Sequence, residues 1–328
     1  GLINSDMVEN LDFFSNGFSS KYGNKLSSFG DITYRSGNRD NVQGEGFIGV
    51  GGLGFLMEGP IGNRSTYITS YRMSYLDLIA DAINASGGMP TYGDFQAKIE
   101  FRPDIYNTFS LLIVNGGSEY DRDSEGAIEV GETEYGKLKN NQNTIGVNYK
   151  HIWNNRAYTN TSISNSTKQS DAHFLNINSR ETVFNIVENT NVKNIRQVNH
   201  LKLGPASKME FGFDAEINDT DYNYYRKLPE SSIFVNEIQF DRLITTKNYS
   251  AFITLKKNLF SRMIFSAGVR LDQNDYEKVN LLSPRMNLDY ELVRGKTNLI
   301  INSGLYHQNP PAIYIANNAS KKLKSVKA

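Results

Sequence analysis

The sequence predicts an all-β chain, a transmembrane antiparallel β-barrel, and three observations carry that prediction. Several strand-length stretches have one apolar face and one charged face. The connections between them alternate strictly between short and long. No apolar run of about eighteen residues is present, so no helical span is expected. The polar mean hydropathy agrees, because a barrel strand turns only every other residue toward lipid.

The remaining bulk properties exclude several functions. Lys+Arg and Asp+Glu both number 35 in 328 residues, so a non-specific nucleic-acid binder, which needs a basic excess, is not expected. The chain has no cysteine, which removes disulfides, thiolate metal sites and thiol catalysis. The 19 tyrosines and 27 glycines supply strand formers and turn formers in quantity.

Residues 17–35 come first in the argument. Tyr22-Gly23-Asn24 reads as a tight turn, because Asn and Gly tolerate positive φ, and 29–35 reads as a short strand. Residues 42–57 (VQGEGFIGVGGLGFLM) read as one glycine-rich strand, broken by Glu58-Gly59-Pro60. The next strand, 65–76, puts Tyr67, Thr69, Tyr71, Met73 and Tyr75 on one face and Ser70, Arg72 and Ser74 on the other.

The later strands alternate more cleanly. In 94–102, Phe95, Ala97, Ile99 and Phe101 alternate with Asp94, Gln96, Lys98, Glu100 and Arg102. In 208–217, Met209, Phe211, Phe213, Ala215 and Ile217 oppose Lys208, Glu210, Asp214 and Glu216. In 262–272, Met263, Phe265, Ala267, Val269 and Leu271 oppose Arg262, Arg270 and Asp272. In 284–292, Met286, Leu288, Tyr290 and Leu292 oppose Arg285, Asp289 and Glu291.

Short turns are expected at 59–64, 103–107, 154–156, 204–206, 257–261 and 294–296. Long polar loops are expected at 79–89, 119–141, 167–188, 218–240 and 273–280. A soluble sandwich or propeller has no reason to collect every long loop at one end, and its strands average only about 5–6 residues. The pattern gives about twelve barrel strands.

With those elements placed, the chain resembles a known family. GFSSKYGNKLSSFGDI at 17–32 resembles the end of the plug domain of TonB-dependent outer-membrane receptors, in the form found in Bacteroidetes-type bacteria. LMEGPI (56–61) and SYRMSYLDLI (70–79) are similar to that family's first barrel hairpin. LLSPRMNLDYEL (281–292), SGLYHQNPP (303–311) and LKSVKA (323–328) are similar to a later hairpin and the segment after it. The resemblance implies a plug tail at 1–38 and barrel at 39–328, about twelve of roughly 22 strands.

It implies a receptor in the bacterial outer membrane for energised uptake of a scarce, bulky solute: an iron chelate, cobalamin, a glycan or a peptide. The implied partners are outer-membrane lipid, the TonB complex acting through a more N-terminal part of the plug, the solute, and a surface lipoprotein. The rival readings are a porin-like or adhesive barrel, which has no plug tail, and a soluble β-rich glycan-binding protein.

Four sets of candidate residues remain. Asp121, Asp123, Glu125 and Glu132 follow EF-hand spacing with Gly126 at the turn, so a structural calcium is the one cofactor this loop would take; the alternative is a solvated acidic loop. Tyr222, Tyr224 and Tyr225 fall in a predicted loop and would stack on a sugar or chelate, or else belong to an interfacial girdle. Asp31 and Arg35 would meet charges of the barrel wall such as Arg72. The scattered His151, His173, His200 and His307 form no HExxH or close pair, and Gly49–Gly54 lies in a strand with no helix after it, so no enzyme is expected.

Overall fold

Thirteen antiparallel strands form one sheet that makes up most of the computed structural model, with a short hairpin laid on one of its faces. The structure describes residues 3–15, 17–49, 52–75, 90–228, 237–317 and 323–327. The hairpin pairs β1 (Val8–Phe14) with β2 (Phe29–Tyr34). The sheet then begins with β3 (Gln43–Gly49), β4 (Gly52–Ile61), β5 (Ser65–Met73) and β6 (Thr91–Phe101). It continues through β7 (Asn107–Arg122), β8 (Glu134–Asn154), β9 (Ala157–Asn176) and β10 (Thr182–Gly204). It ends with β11 (Ser207–Lys227), β12 (Glu237–Leu259), β13 (Met263–Asn274), β14 (Val279–Val293) and β15 (Thr297–Gly304). Every strand pairs with its neighbours in sequence, and β3 and β15 are the two edges.

The burial pattern is that of a membrane barrel rather than a water-soluble sheet. On β6, Phe95, Ile99 and Phe101 are 38%, 41% and 43% exposed, whereas Asp94, Gln96 and Glu100 are 3%, 0% and 7% exposed. The same inversion recurs on β13 and β14, where Leu271 and Met286 are exposed and Arg270 and Arg285 are buried. In water that arrangement leaves apolar area exposed on every strand. Lipid removes the cost, and a polar interior is what such a barrel encloses.

Two expectations are corrected. The glycine-rich stretch 42–57 is not one strand: β3 and β4 form a hairpin, with Gly49 paired to Gly52. Glu58-Gly59-Pro60 lies inside β4, where Pro60 pairs with Thr66, and the extra reversal raises the sheet to thirteen strands. The long polar loops are also mostly strand. β10 runs for 23 residues, where about 9–11 cross a bilayer, and β7 through β12 carry paired backbone through most of 119–141, 167–188 and 218–240. The expected loop 79–89 lies outside the described residues.

On β11 the apolar face ends at Ile217, and Asp219 and Asp221 follow at the same alternation. Beyond that row the strands continue as a projecting polar wall on the side of the longer connections. On that side, helix α1 (Ser124–Glu129) caps the β7–β8 hairpin. The segment after β15 forms β16 (His307–Gln308), helix α2 (Ala312–Asn317) and β17 (Val326–Lys327), with β16 paired to β17. The six connections expected to be short, at 62–64, 102–106, 155–156, 205–206, 260–262 and 294–296, all fall at the opposite end, whereas the β3–β4, β9–β10 and β13–β14 connections on the α1 side are also short.

Candidate functional site

The N-terminal segment covers the charged face of the sheet, and two groups of contacts hold it there. The first group fixes residues 34–39 to β4, β5 and β6. Arg35 donates through both terminal nitrogens to Glu58, at 2.6 and 2.8 Å, and the Asn38 amide adds a third bond to the same carboxylate at 2.8 Å. Ser36 donates to Glu100 at 2.7 Å, and Arg39 and Arg102 flank that carboxylate at 3.3 and 2.7 Å. Lys98 donates to the Tyr34 carbonyl at 2.6 Å. A small apolar core of Met7, Leu56 and Ile68 fills the space beside them.

The second group recognises backbone. Arg285 donates to the carbonyls of Tyr22 and Ser19 at 2.6 and 2.8 Å, and Arg196 donates to the Lys21 carbonyl at 2.7 Å. Arg270 reaches the same carbonyl at 3.2 Å, and Asn287 takes the Gly17 carbonyl at 2.8 Å. Asp214 bridges Arg196 and Arg270 at 3.1 Å each, and Asp272 accepts from Arg270 at 2.7 Å. Arg196 and Arg270 are thus neutralised on the wall side and bonded by carbonyls on the segment side, which offsets the cost of burying their charge, while Arg285 is held by carbonyls and by the faces of Phe18 and Tyr306.

The segment's own sequence fits this cradle. Gly17 has φ 63°, and a Cβ there would collide with Asn302; a Cβ on Gly23 would collide with the Arg270 guanidinium. Asn24 adopts φ 57°, so the predicted turn at Tyr22-Gly23-Asn24 is present. Tyr22 packs its ring between Phe14 and Phe29 and donates its hydroxyl to Asp31. Burial first, and the Asp31 carboxylate second, push the Tyr22 phenol well above its ordinary range.

Between this segment and the wall lies a polar cavity of about 220 Å³, bordered by Lys21, Asn24, Arg196, Arg270, Asp272 and His307. Asn309 closes one side: its amide donates to the Asn24 side chain at 2.8 Å, tying the turn to the segment that follows β15. A wider cleft of about 1380 Å³ runs along the charged face from Asp31 and Arg35 toward β7, β8 and β9. No catalytic constellation is assembled in either space among the described residues, and none contains a group of three or more potential metal ligands.

The candidate residues are placed as follows. Arg35 contacts the wall through Glu58, whereas Asp31 stays within the segment, bound to Tyr22 and 3.5 Å from Lys21. Arg72 pairs with Asp94 of the next strand at 2.9 Å. The EF-hand spacing does not wrap a loop. Asp121 is in β7 facing Lys137, Asp123 caps α1 by accepting from the Gly126 amide, and Glu132 lies 3.7 Å from Arg122. The three tyrosines are in β11, not in a loop. Tyr222 is buried with Phe240 and Ala316, and Tyr224 stacks on Phe240 at 4.9 Å; Tyr225 alternates to the other face.

Sequence reasoning missed Arg196. It lies in β10, where polar residues occupy both faces, so alternation gave no contrast. His307, which shares a bond of 2.8 Å with Ser283 at the cavity edge, was likewise not singled out.

No family model matches the sequence, and no curated protein matches it. Solved structures do match in fold. The siderophore receptor PirA from Acinetobacter baumannii superposes with a TM-score of 0.65 at 10% identity, over 94% of this chain and 49% of that one. The outer membrane transporter YddB from Escherichia coli gives 0.62 at 10% identity, over 94% and 48%. The copper transporter OprC gives 0.60 at 12% identity, over 87% and 48%. The chain spans about half the length of each structure it matches. Its sheet is therefore the antiparallel β-barrel fold of outer-membrane receptors and transporters.

Proposed function

We propose that the chain is part of a TonB-dependent receptor of the bacterial outer membrane, which imports a scarce, bulky solute by energised movement of a plug. Residues 1–38 are the plug's C-terminal tail in this reading, and residues 39–328 are barrel. The observation that carries it is the arginine cradle. A segment held to a polar wall by its backbone carbonyls and by ion pairs is firmly seated yet separable, because every bond exchanges for water when the segment moves. An ordinary pore has no use for such a segment on its inner face.

The matched structures include a siderophore receptor and a copper transporter, so the fold leaves the solute class open among metal chelates and other bulky solutes. The cavity beside Asn24, polar and bordered by charges of both signs, favours a hydrophilic solute that hydrogen-bonds over an apolar one. Lipid, the TonB complex and a surface lipoprotein are the partners this reading entails.

Uptake of labelled ferric chelate, cobalamin and oligosaccharide by cells making the gene product tests it. Import of at least one solute that disappears when TonB is deleted is expected. Import at the same rate without TonB makes the protein a passive pore and refutes the proposal.

A further inference from the structure

The short connections share a composition that the rest of the balanced chain lacks. Taken with three strand residues on either side, the six connections at the end opposite α1 contain nine Lys or Arg and three carboxylates. Arg64, Arg102 and Arg156 occupy the first three connections; the next carries Lys202 and Lys208. Lys257 and Arg262 flank the fifth, and Arg294 and Lys296 make the sixth. All nine are exposed.

The three carboxylates offset them only in part. Glu100 is buried and pairs with Arg102 at 2.7 Å, Asp104 accepts the amides of Tyr106 and Asn107, and Glu291 accepts the Gly295 amide at 2.6 Å. At the opposite end the sign reverses. The β7–β8 connection with the same flanks holds Asp121, Asp123, Glu125, Glu129, Glu132 and Glu134 against Arg122 alone.

Each basic connection also carries a large exposed apolar side chain. Phe260 is 87% exposed and Ile105 81%, and Ile61, Trp153, Leu203 and Val293 serve the other four. An aqueous rim gains nothing from such residues. A layer where cations meet phosphates and apolar groups reach acyl chains accommodates both kinds at once. On β6, β7 and β8 the outward apolar band reaches this rim through the stacked rings of Phe101, Phe109 and Tyr149.

We infer that the short-connection end is a binding surface for anionic phospholipid headgroups in the leaflet it meets. The basic residues attract the phosphates and the apolar tips anchor the turns beneath them, which fixes the depth of the barrel in the membrane. An acidic soluble protein fits less well, because it would have to cover apolar residues spread over six separate turns. The inference rests on the membrane reading proposed above.

The test uses the gene product reconstituted into vesicles of phosphatidylcholine alone, and of phosphatidylcholine with an equal part of phosphatidylglycerol. Native mass spectrometry then counts the lipids retained. Enrichment of retained phosphatidylglycerol over its bulk share by at least about fivefold is expected, the attraction of a single well-placed basic residue. The variant Lys202→Gln/Lys208→Gln/Lys257→Gln/Arg262→Gln is expected to lose most of that enrichment while keeping the native β-sheet circular dichroism. High salt is expected to weaken it in the native protein. No enrichment in the native protein, or enrichment that the variant keeps in full, overturns the inference. Failure of the native protein to insert into either vesicle refutes the membrane reading instead. If the variant does not fold, the salt dependence of the native protein decides alone.

Discussion

Replacing Arg285 by alanine strikes the cradle at one of its two most buried members. Arg285 is 4% exposed and its guanidinium makes two short charge-assisted bonds, at 2.6 Å to the Tyr22 carbonyl and 2.8 Å to the Ser19 carbonyl. Its plane also lies 4.4 Å from the Tyr306 ring and 5.0 Å from that of Phe18. Bonds of this kind contribute about 1.5–3 kcal/mol each, so their loss totals about 3–6 kcal/mol, and water entering the vacated space recovers part of it. A net weakening of about 3 kcal/mol in the docking of residues 17–22 is expected, or about 150-fold in the opening equilibrium. Hydrogen exchange in the detergent-solubilised gene product reads this directly. Amides of 17–35 should exchange about 150-fold faster in Arg285→Ala while those of β10 through β13 keep their native rates. Unchanged exchange in 17–35 would mean that the arginine follows the segment and does not hold it, and equal acceleration throughout the sheet would mean that it serves the barrel alone.

Three further outcomes follow from individual contacts. Gly37→Ala places a Cβ against the Tyr67 carbonyl, so residues 35–39 must shift; a loosening of about 2 kcal/mol is expected, read as roughly 30-fold faster tryptic cleavage after Arg35 and Arg39. Phe213→Arg puts a charge in the middle of the outward apolar face of β11, where Phe213 is 42% exposed; folding into lipid vesicles should weaken by about 2–4 kcal/mol, with no comparable loss for Asn223→Arg on the projecting wall. The raised Tyr22 phenol favours the neutral form in the folded chain, so its contribution is complete below the ordinary phenol range and is lost as pH climbs through and above it. Docking of 17–35 should therefore weaken above pH about 10, and Tyr22→Phe should remove that alkaline dependence; a variant as alkali-sensitive as the native protein contradicts the assignment.

The sheet was legible because a period of two is a strong signal wherever one face is apolar and the other charged. β6, β11, β13 and β14 have that contrast, and their outward and inward faces match the alternation read from the sequence. The upper halves of β8, β9 and β10 lack it. Stretches such as Lys139 through Asn141 and Thr167 through Ser170 are polar on both faces, so they read as loop although their backbone is fully paired. Tyr222 went the same way, and its burial depends on Ala316 of α2, which lies 94 positions along the chain and has no local trace. The EF-hand spacing failed because strand pairing claims Asp121 and helix capping claims Asp123 before a cation could gather them. The cradle was the least legible feature. Its arginines carry a side-chain signature, but its acceptors are carbonyls, which every residue has.

The separable plug is the central claim, and single-channel conductance in a planar bilayer tests it most directly. The native gene product should be closed or nearly so, and deletion of residues 1–38 should open a large, persistent conductance while the barrel still folds. Arg285→Ala should lie between the two, with brief openings as the segment leaves its cradle. Equal conductance with and without residues 1–38 would contradict the account, because the N-terminal segment would then not be what closes the barrel.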